Sequence, residues 1–264
     1  MSDIIAAIVL GIVEGVTEFL PISSTGHLIL ANQWFAFSGA RLTALFDIVI
    51  QFGAIAAVLI VFRRELVVGE AASPHVLPRR WWRIGVGVLP ALAVGALFAE
   101  SLERMFFRPI VVAIALAVGG VVLLAIERRT WKPRWQVLEE LPLRTVIGIG
   151  SIQCLAFMPG VSRSAATIIG AMLLGCSREL AAKYSFFLAV PTLAAASGYA
   201  LLKTSVPFDV RMIGLLSLGF VVAFVVAWGV LAVFLRYVRT RSLAPFGWYR
   251  IALGVLVLFL LGMQ

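Results

Sequence analysis

Six uninterrupted apolar runs constrain the fold of this chain more than any other feature. They cover approximately residues 44–62, 84–99, 109–126, 182–202, 212–235 and 247–263. A helix needs roughly 20 apolar residues to cross a bilayer, so each run predicts a transmembrane helix. The 264 residues are 62% apolar and 13% charged, whereas soluble domains are about half apolar and about a quarter charged. We therefore predict an all-α polytopic membrane protein with a single integral membrane domain, and we exclude soluble globular and disordered proteins.

Two further apolar stretches, residues 4–37 and 145–174, are interrupted by polar, turn-forming residues. The interruptions are Pro-Ile-Ser-Ser-Thr-Gly from Pro21 and Pro-Gly-Val-Ser-Arg-Ser from Pro159. Each stretch predicts two half-helices around a break. Irregular backbone at membrane depth is tolerated only where it is packed in protein or lines a watery cavity. The two breaks therefore predict a cavity.

The breaks also indicate an internal repeat. A shift of 138 positions superposes the Phe-x-Pro sequences that begin at Phe19 and Phe157, and it places Ser24 on Ser162. We predict two repeats, each with one re-entrant broken helix pair and three transmembrane helices. Because three crossings is an odd number, the second repeat is inverted and the tips of the broken segments meet near the midplane. The repeats cover about residues 1–130 and 139–264.

The distribution of Lys and Arg predicts the orientation in the membrane. The chain has 22 Lys and Arg against 13 Asp and Glu, for a formal charge of +9. Fifteen of the basic residues lie on one predicted side and five on the other, while Arg163 and Arg250 fall inside apolar stretches. By the positive-inside rule the richer side is cytoplasmic, so both termini are predicted outside. No basic face alternates with stacking aromatics outside the membrane segments, so we expect no nucleic-acid binding.

Ionisable residues inside the apolar segments are the candidate functional groups, because a charge at mid-bilayer costs about 2.5–3.5 kcal/mol. Glu14 and Glu18 are four residues apart, which stacks both carboxylates on one helix face. Such a pair needs a cation or a shared proton. A divalent metal, Arg163 or both could supply the charge; the competing interpretation is a solvated pair at a helix end. Since the chain has only two histidines, a multi-histidine metal site is excluded.

The polar residues of the first break follow these carboxylates directly. Ser24 and His27 lie within one helical turn of each other, where a hydroxyl or an imidazole can act as nucleophile or proton carrier. His27 could instead be a core histidine bonded to a carbonyl. Ser23 and Thr25 are interpreted first as N-caps and second as groups that bind phosphate.

The second break predicts an anion-binding site. Gly160 allows the backbone to approach a ligand closely, and the amides that open the following half-helix, around Ser162 and Ser164, direct a partial positive charge at the cavity. Thr167 follows one turn later. Arg163 adds a bidentate fork that suits phosphate oxygens, and this role is compatible with neutralising a glutamate.

Other polar residues in the apolar segments give weaker signals. Asp47 and Gln51 share a helix face, and we weigh cavity lining and a hydrogen-bonded structural pair equally. Cys154 and Cys176 are isolated thiols, which predict neither a disulfide framework nor a metal site.

Three sequence blocks together resemble a known family. They are Glu-Gly-Val-Thr-Glu-Phe-Leu-Pro-Ile-Ser-Ser-Thr-Gly-His from Glu14, Phe-Asp-Ile-Val-Ile-Gln-Phe-Gly from Phe46, and Pro-Gly-Val-Ser-Arg-Ser-Ala-Ala-Thr from Pro159. These blocks resemble the signatures of bacterial undecaprenyl-diphosphate phosphatases, the BacA-type family linked to bacitracin resistance. The likeness covers essentially the whole chain, in order. One departure is Asp47, where the family often has Glu, and this puts in doubt any role that depends on the reach of the acid.

The resemblance implies hydrolysis of undecaprenyl diphosphate to undecaprenyl phosphate and inorganic phosphate, which recycles the lipid carrier of cell-wall polymers. It also implies a divalent cation, Mg²⁺ or Ca²⁺, a homodimer, and a bacterial inner membrane location with the active site open to the outer side. The residues that match the functional positions of the family are Glu14, Glu18, Ser24, His27, Ser162, Arg163 and Thr167.

Our hypothesis is therefore a metal-assisted lipid diphosphatase. Glu14 and Glu18 hold the metal, Arg163 and the half-helix amides bind the diphosphate, and Ser24 or His27 attacks or activates water. The alternative is a transporter or flippase of a polyprenyl phosphate or another anionic lipid, because inverted repeats with broken helices are also a transporter signature. The carboxylates, hydroxyls and imidazole in one short stretch favour an enzyme over a transporter.

Overall fold

A computed structural model describes residues 3–35, 37, 40–67, 76–106, 108–129, 132–203 and 209–262, and this part of the chain is almost entirely helical. The helices are α1 (Asp3–Thr17), α2 (Ser24–Phe35), α3 (Ala40–Val61), α4 (Arg63–Val67), α5 (Val76–Phe106), α6 (Pro109–Glu127), α7 (Leu143–Gln153), α8 (Arg163–Leu173), α9 (Arg178–Lys203), α10 (Val210–Thr240) and α11 (Ala244–Gly262). Extended pairing in the described ranges is limited to one bridge between Trp135 and Cys176. The predicted all-α class is confirmed.

Six helices, α3, α5, α6, α9, α10 and α11, are long and apolar enough to cross a membrane. They contain the six predicted spans, apart from Phe62, which lies in the turn after α3, and residue 263, which lies outside the described residues. The chain is therefore a multi-pass membrane protein. Helices α5 and α10, with 31 residues each, are much longer than their predicted spans of 84–99 and 212–235. Their charged ends continue the helix beyond the apolar window, and Arg80 of α5, for example, pairs with Glu139 at 2.5 Å.

Both interrupted stretches form pairs of half-helices, as predicted. Residues 18–23 separate α1 from α2, and residues 154–162 separate α7 from α8. Helix α1 packs mainly on α10, whereas α7 packs on α5 and α8 packs on α9. Glycines allow the close approach of these helices: a Cβ atom on Gly15 would lie 2.8 Å from the carbonyl oxygen of Ala223, and one on Gly150 would collide with the carbonyl of Gly87.

The two breaks have the same backbone geometry. Ser23 and Ser162, with φ of 74° and 73°, are the non-glycine residues with positive φ in the described part of the chain. Each caps the helix that follows, because Gly26 N donates to Ser23 Oγ at 3.3 Å and Ala165 N donates to Ser162 Oγ at 3.1 Å. This confirms the predicted N-cap role of Ser23.

Two sequence predictions about these breaks need correction. The structural counterpart of Ser162 is Ser23, so the pairing of Ser162 with Ser24 is one residue out of register. Thr25 is not an N-cap, because α2 already begins at Ser24 and Thr25 lies exposed in its first turn. A fixed sequence shift could not detect that the serine with positive φ lies four residues after Phe19 but five residues after Phe157.

The tips of the broken segments are in direct contact, as predicted. Ser164 Oγ donates to the carbonyl of Leu20 at 2.7 Å, and Phe19 packs edge-on against Phe186 of α9 with 5.4 Å between ring centroids. Residues 144 positions apart in sequence, at or beside the two breaks, therefore form one site. The inverted orientation of the two repeats stays a prediction.

Candidate active site

A buried ion pair joins the two breaks. Arg163 Nη2 donates to Glu18 Oε1 at 2.8 Å, and both side chains are more than nine-tenths buried. Glu18 lies just after the last turn of α1, whereas Arg163 is the first residue of α8. A charge removed from water needs a partner of opposite sign. The predicted role of Arg163 in neutralising a glutamate is therefore confirmed for Glu18.

The rest of the Arg163 guanidinium is held by α9 and by an aromatic ring. Nη1 donates to the carbonyl of Ser185 at 3.0 Å and to its hydroxyl at 3.3 Å. The guanidinium carbon lies 5.7 Å from the centroid of the Phe19 ring, within the range of a cation–π interaction. Its Nε–H is buried without an acceptor. This donor remains available to a ligand oxygen.

Ser24 is bonded to the other oxygen of the same carboxylate. Its Oγ–H donates to Glu18 Oε2 at 2.5 Å. Glu18 therefore contacts the hydroxyl with one oxygen and the guanidinium with the other. This is the arrangement of a nucleophile beside a general base whose orientation is fixed by a third group. Ser24 is partly exposed, so its hydroxyl is accessible.

His27 is bonded to the backbone of the first break and to a side chain of α11. Nδ1 bonds to the carbonyl of Ser23 at 2.7 Å and Nε2 bonds to the hydroxyl of Tyr249 at 2.6 Å. The imidazole and the Tyr249 ring are stacked, with 5.6 Å between centroids. The interpretation as a histidine bonded to a carbonyl is confirmed. Both ring nitrogens are thus engaged in positioning α2 against α11.

The remaining predicted residues of the second break fix its backbone. Ser162 Oγ and Ser164 Oγ are 2.9 Å apart. Thr167 is fully buried and its hydroxyl donates to Ser185 Oγ at 2.6 Å, behind Arg163. Gly160 has φ of +93°, and a Cβ atom there would collide with the carbonyl of Val112. The break can therefore approach α6 only with glycine at this position.

A second buried arginine, Arg250 of α11, binds the backbone of both breaks. Its side chain is fully buried and donates to the carbonyls of Pro21 at 3.2 Å, Gly160 at 3.0 Å and Val161 at 3.0 Å. Two further bonds reach Ala115 and Leu116 of α6, each at 3.3 Å. Carbonyls freed by a helix break need donors at membrane depth, and this single guanidinium supplies them.

A cavity of ≈ 190 Å³ lies between the two breaks and α9. Of the predicted residues, Glu18, Ser23, Ser24, Thr25, Gln51, Gly160, Ser162 and Arg163 line it. The structure thus places the ion pair, the Ser24 hydroxyl and the two strained serines around one space. The cavity lining among the described residues does not include Glu14, His27, Asp47, Ser164 or Thr167.

Two amide side chains complete the wall of the cavity. Gln51, predicted as cavity lining, accepts a hydrogen bond from Ser197 Oγ at 2.5 Å. Gln153 donates to Thr192 Oγ1 at 3.2 Å, while its own Oε1 is buried without a partner. Asp47 is instead bonded to Asn32 at 3.0 Å, so it does not pair with Gln51. Gln51 therefore lines the cavity and Asp47 does not, and the two residues do not form the hydrogen-bonded pair that was the alternative prediction.

Sequence signals were weak or absent for five residues of the site, namely Gln153, Ser185, Thr192, Tyr249 and Arg250. Single polar residues within long apolar runs have no motif around them. The adjacent polar pair Tyr249 and Arg250 in the last span was the one available hint, because a charged residue there needs a buried partner.

The carboxylate oxygens near the breaks are suitable ligands for a hard divalent cation. Glu14 is fully buried and neither of its carboxylate oxygens has a hydrogen-bond donor. Carboxylate oxygens are the ligands that Mg²⁺ and Ca²⁺ prefer, and Mg²⁺ often binds through one or two carboxylates together with substrate phosphates. The described residues contain no cluster of three or more His, Cys, Asp and Glu ligands, so such an ion would complete its shell with water or phosphate oxygens.

The chain matches one family over nearly its whole length. The model of the family described as Bacitracin resistance protein BacA matches residues 7–256. An undecaprenyl-diphosphatase of Nitratidesulfovibrio vulgaris (strain DP4) is 44% identical over 262 residues, which cover 98% of each chain. An undecaprenyl-diphosphatase of Sphingopyxis alaskensis is 45% identical over 257 residues, 96% of each chain. Undecaprenyl-diphosphatase 1 of Clostridioides difficile (strain 630) is 42% identical over 263 residues, 98% of this chain and 96% of its own. The chain therefore belongs to the Bacitracin resistance protein BacA family.

Proposed function

We propose that the protein hydrolyses undecaprenyl diphosphate to undecaprenyl phosphate and inorganic phosphate. The relatives reported above are named for this activity. The observation on which the chemistry rests is that Glu18 contacts both the Ser24 hydroxyl and the Arg163 guanidinium at the wall of one cavity. A phosphoryl group placed there meets a nucleophile, a base and a cation together.

In the proposed reaction Ser24 Oγ attacks the terminal phosphorus while its proton passes to Glu18 Oε2. The bond from that phosphorus to the bridging oxygen breaks, its electron pair leaves with undecaprenyl phosphate, and the proton on Glu18 is available to the leaving oxygen. A water oxygen then attacks the same phosphorus and gives its proton to Glu18. The bond between phosphorus and Ser24 Oγ breaks, and Glu18 returns the proton to Oγ as inorganic phosphate leaves. Ser24 is preferred to His27 as nucleophile, because both imidazole nitrogens are already bonded and the ring does not line the cavity.

Arg163 stabilises the negative charge that develops on the phosphoryl oxygens. Its Nε–H has no protein acceptor, while its other nitrogens are fixed by Glu18 and Ser185. Because these hydrogen-bond donors are already held in position, they need little rearrangement to stabilise the transition state. Ser162 and Gly160 shape the backbone that faces the same phosphate.

We also propose a divalent cation, Mg²⁺ or Ca²⁺, held by Glu14 and Glu18. When bound, such an ion neutralises charge on the diphosphate. The two unpartnered oxygens of Glu14 support this proposal, since a buried carboxylate without donors is costly.

Phosphate release from the purified protein in detergent tests the function. We expect turnover of a C55 diphosphate that stops when a chelator is added, and much slower turnover of a soluble diphosphate. Ser24→Ala, Glu18→Gln and Arg163→Lys, the last two of which keep a polar or charged group at the buried pair, should each lower release at least 100-fold without lowering the folded yield. Full activity in all three variants would refute the assignment. Trapping of a phosphorylated Ser24 tests the covalent intermediate.

The flippase alternative is not favoured, because the relatives are named as diphosphatases. Liposomes distinguish the two functions: translocation of a labelled lipid phosphate by a variant that cannot hydrolyse would support transport.

The homodimer, the bacterial inner membrane location and the opening of the site to the outer face are further parts of the proposal. Crosslinking in native membranes tests the homodimer.

A further inference from the structure

A second cavity lies at the ends of α7 and α8 that are remote from the active site. Its volume is ≈ 570 Å³, against ≈ 190 Å³ for the active-site cavity. Helix α8 has 11 residues, so about 15 Å separates this end from the break. The residues of its wall that matter here are Lys132, Arg134, Trp135, Arg144, Leu173 and Leu174. We refer to it as the basic cavity.

Three of these side chains are cations, and the lining contains no carboxylate. Within the described ranges, Lys132, Arg134 and Arg144 take part in no ion pair. Nearby cations behave differently, since Arg178 pairs with Glu127 at 2.7 Å and Arg239 pairs with Glu179 at 2.6 Å. The basic cavity therefore concentrates positive charge that the protein itself does not neutralise.

The wall that bears these charges is held in place by backbone hydrogen bonds. The amides of Arg134 and Trp135 both donate to the carbonyl of Gly175, at 2.8 and 3.0 Å, and Ser177 N donates to the carbonyl of Trp135 at 2.9 Å. Gly175 adopts φ of +94°, a conformation that favours glycine. The loop is therefore fixed against the turn between α8 and α9.

Apolar side chains line part of the same cavity. Leu173 is 42% exposed, and Leu174 and Trp135 are partly buried. Tryptophan is typical of the boundary between lipid headgroups and acyl chains. The cavity also lies on the predicted side of the membrane to which fifteen of the basic residues are assigned. It therefore offers cations for a phosphate and an apolar edge for acyl chains.

We propose that the basic cavity binds the headgroup of an anionic phospholipid, such as phosphatidylglycerol, at the membrane face opposite the active-site opening. The phosphate lies among Lys132, Arg134 and Arg144, while the acyl chains run along Leu173 and Leu174. Arginine binds phosphate oxygens through its fork of donors, and basic residues near a membrane surface attract anionic lipid. The proposal does not depend on the phosphatase activity.

Native mass spectrometry of the full chain in detergent tests this proposal. We expect the wild type to bind one phosphatidylglycerol at least tenfold more tightly than phosphatidylcholine. Arg134→Gln combined with Arg144→Gln should lower the affinity for phosphatidylglycerol at least tenfold. The matched control is Arg79→Gln combined with Arg241→Gln, which removes two exposed charges from the same face outside the cavity and should change the affinity less than twofold.

Each other result has a defined meaning. Unchanged binding in the cavity variant, or an equal loss in both double variants, would overturn the proposal, because the charges would then act only through the general surface potential. Displacement of the lipid by equimolar inorganic phosphate would also overturn it, since the ligand would then be a free phosphate. If the double variant does not fold, Arg144→Gln alone should lower the affinity about fivefold and Arg144→Lys should restore most of it.

Discussion

Arg163 combines contacts that a lysine cannot reproduce. Its guanidinium bonds Glu18 and Ser185 with separate nitrogens and keeps a third donor unpartnered. We expect Arg163→Lys to lower kcat/KM for the lipid diphosphate by about 100- to 1000-fold, the usual effect of losing one fixed donor to a transition-state oxyanion. Arg178→Lys is the matched control, because Arg178 also pairs with a glutamate but lies outside the cavity. A similar loss in both variants would show that the effect is structural.

The neighbouring serines Ser23 and Ser24 have different roles: Ser23 caps a helix, and Ser24 contacts the base Glu18. Ser24→Ala removes the group that contacts Glu18, so turnover should fall by at least 1000-fold while the thermal unfolding midpoint stays within a few degrees. Ser23→Ala removes an N-cap and should lower the free energy of unfolding by about 1 kcal/mol. Ser23→Gly should be at least as stable as the wild type, because glycine tolerates the positive φ. Equal loss of turnover in Ser24→Ala and Ser23→Gly would contradict this division.

Glu14 provides a test of the metal that does not depend on turnover. Its carboxylate oxygens are buried without donors, so a bound divalent ion should stabilise the folded protein by mass action. We expect Ca²⁺ or Mg²⁺ to raise the thermal unfolding midpoint of the wild type and to leave that of Glu14→Gln unchanged. Glu140→Gln alters an exposed glutamate and should retain the full shift. A shift that persists in Glu14→Gln would place the ion elsewhere.

For single residues, the sequence predicted which side chains belong to the site better than it predicted which groups they contact. The carboxylates, Ser24 and Arg163 were identifiable because charges and hydroxyls in apolar segments are costly without a role. The partners of His27 and Asp47 could not be identified from the sequence. Tyr249 is 222 positions from His27, and Asn32 belongs to a different helix from Asp47. Only the tertiary packing of helices brings such pairs together.

Helix packing depends on glycines whose neighbours are backbone atoms. A Cβ atom on Gly150 of α7 would collide with the carbonyl of Gly87 in α5, which cannot move without shifting the helix. We expect Gly150→Ala to lower the free energy of unfolding by about 1–3 kcal/mol. At Gly198 of α9 no atom lies within 4 Å of the added methyl group, so Gly198→Ala should raise stability by about 0.5–1 kcal/mol through helix propensity. Thermal unfolding in detergent measures both, and equal effects would show that the α5–α7 contact adapts.

Hydropathy located the elements but not their ends. The six spans and both broken segments follow from apolar run length, because the bilayer sets the minimum length of a crossing. The extra turns of α5, which begins at Val76 rather than near residue 84, depend on contacts such as that between Arg80 and Glu139. The register of the breaks depends on which serine adopts positive φ, and hydropathy contains no information about this choice.

The arrangement of the whole molecule in the membrane can be tested with reporter fusions. Fifteen of the basic residues lie on one predicted side and five on the other, so both termini should face outward. We expect alkaline phosphatase fused after residue 264 to be active, and the same reporter inserted in the loop around residue 130 to be inactive. The reverse pattern would invert the orientation of every helix and place the active-site opening on the cytoplasmic side.

Arg250 has a consequence for how substrate and products travel. It bonds three carbonyls in the two breaks and two in α6, all within the protein interior. Rocking of one half against the other would break the bonds of this buried guanidinium to Pro21 and to α6, while those to Gly160 and Val161 would persist. Each hydrogen bond to a charged group contributes about 1.5–3 kcal/mol. The lipid and the released phosphate should therefore enter and depart by the same leaflet, through a single mouth that never reopens on the opposite side.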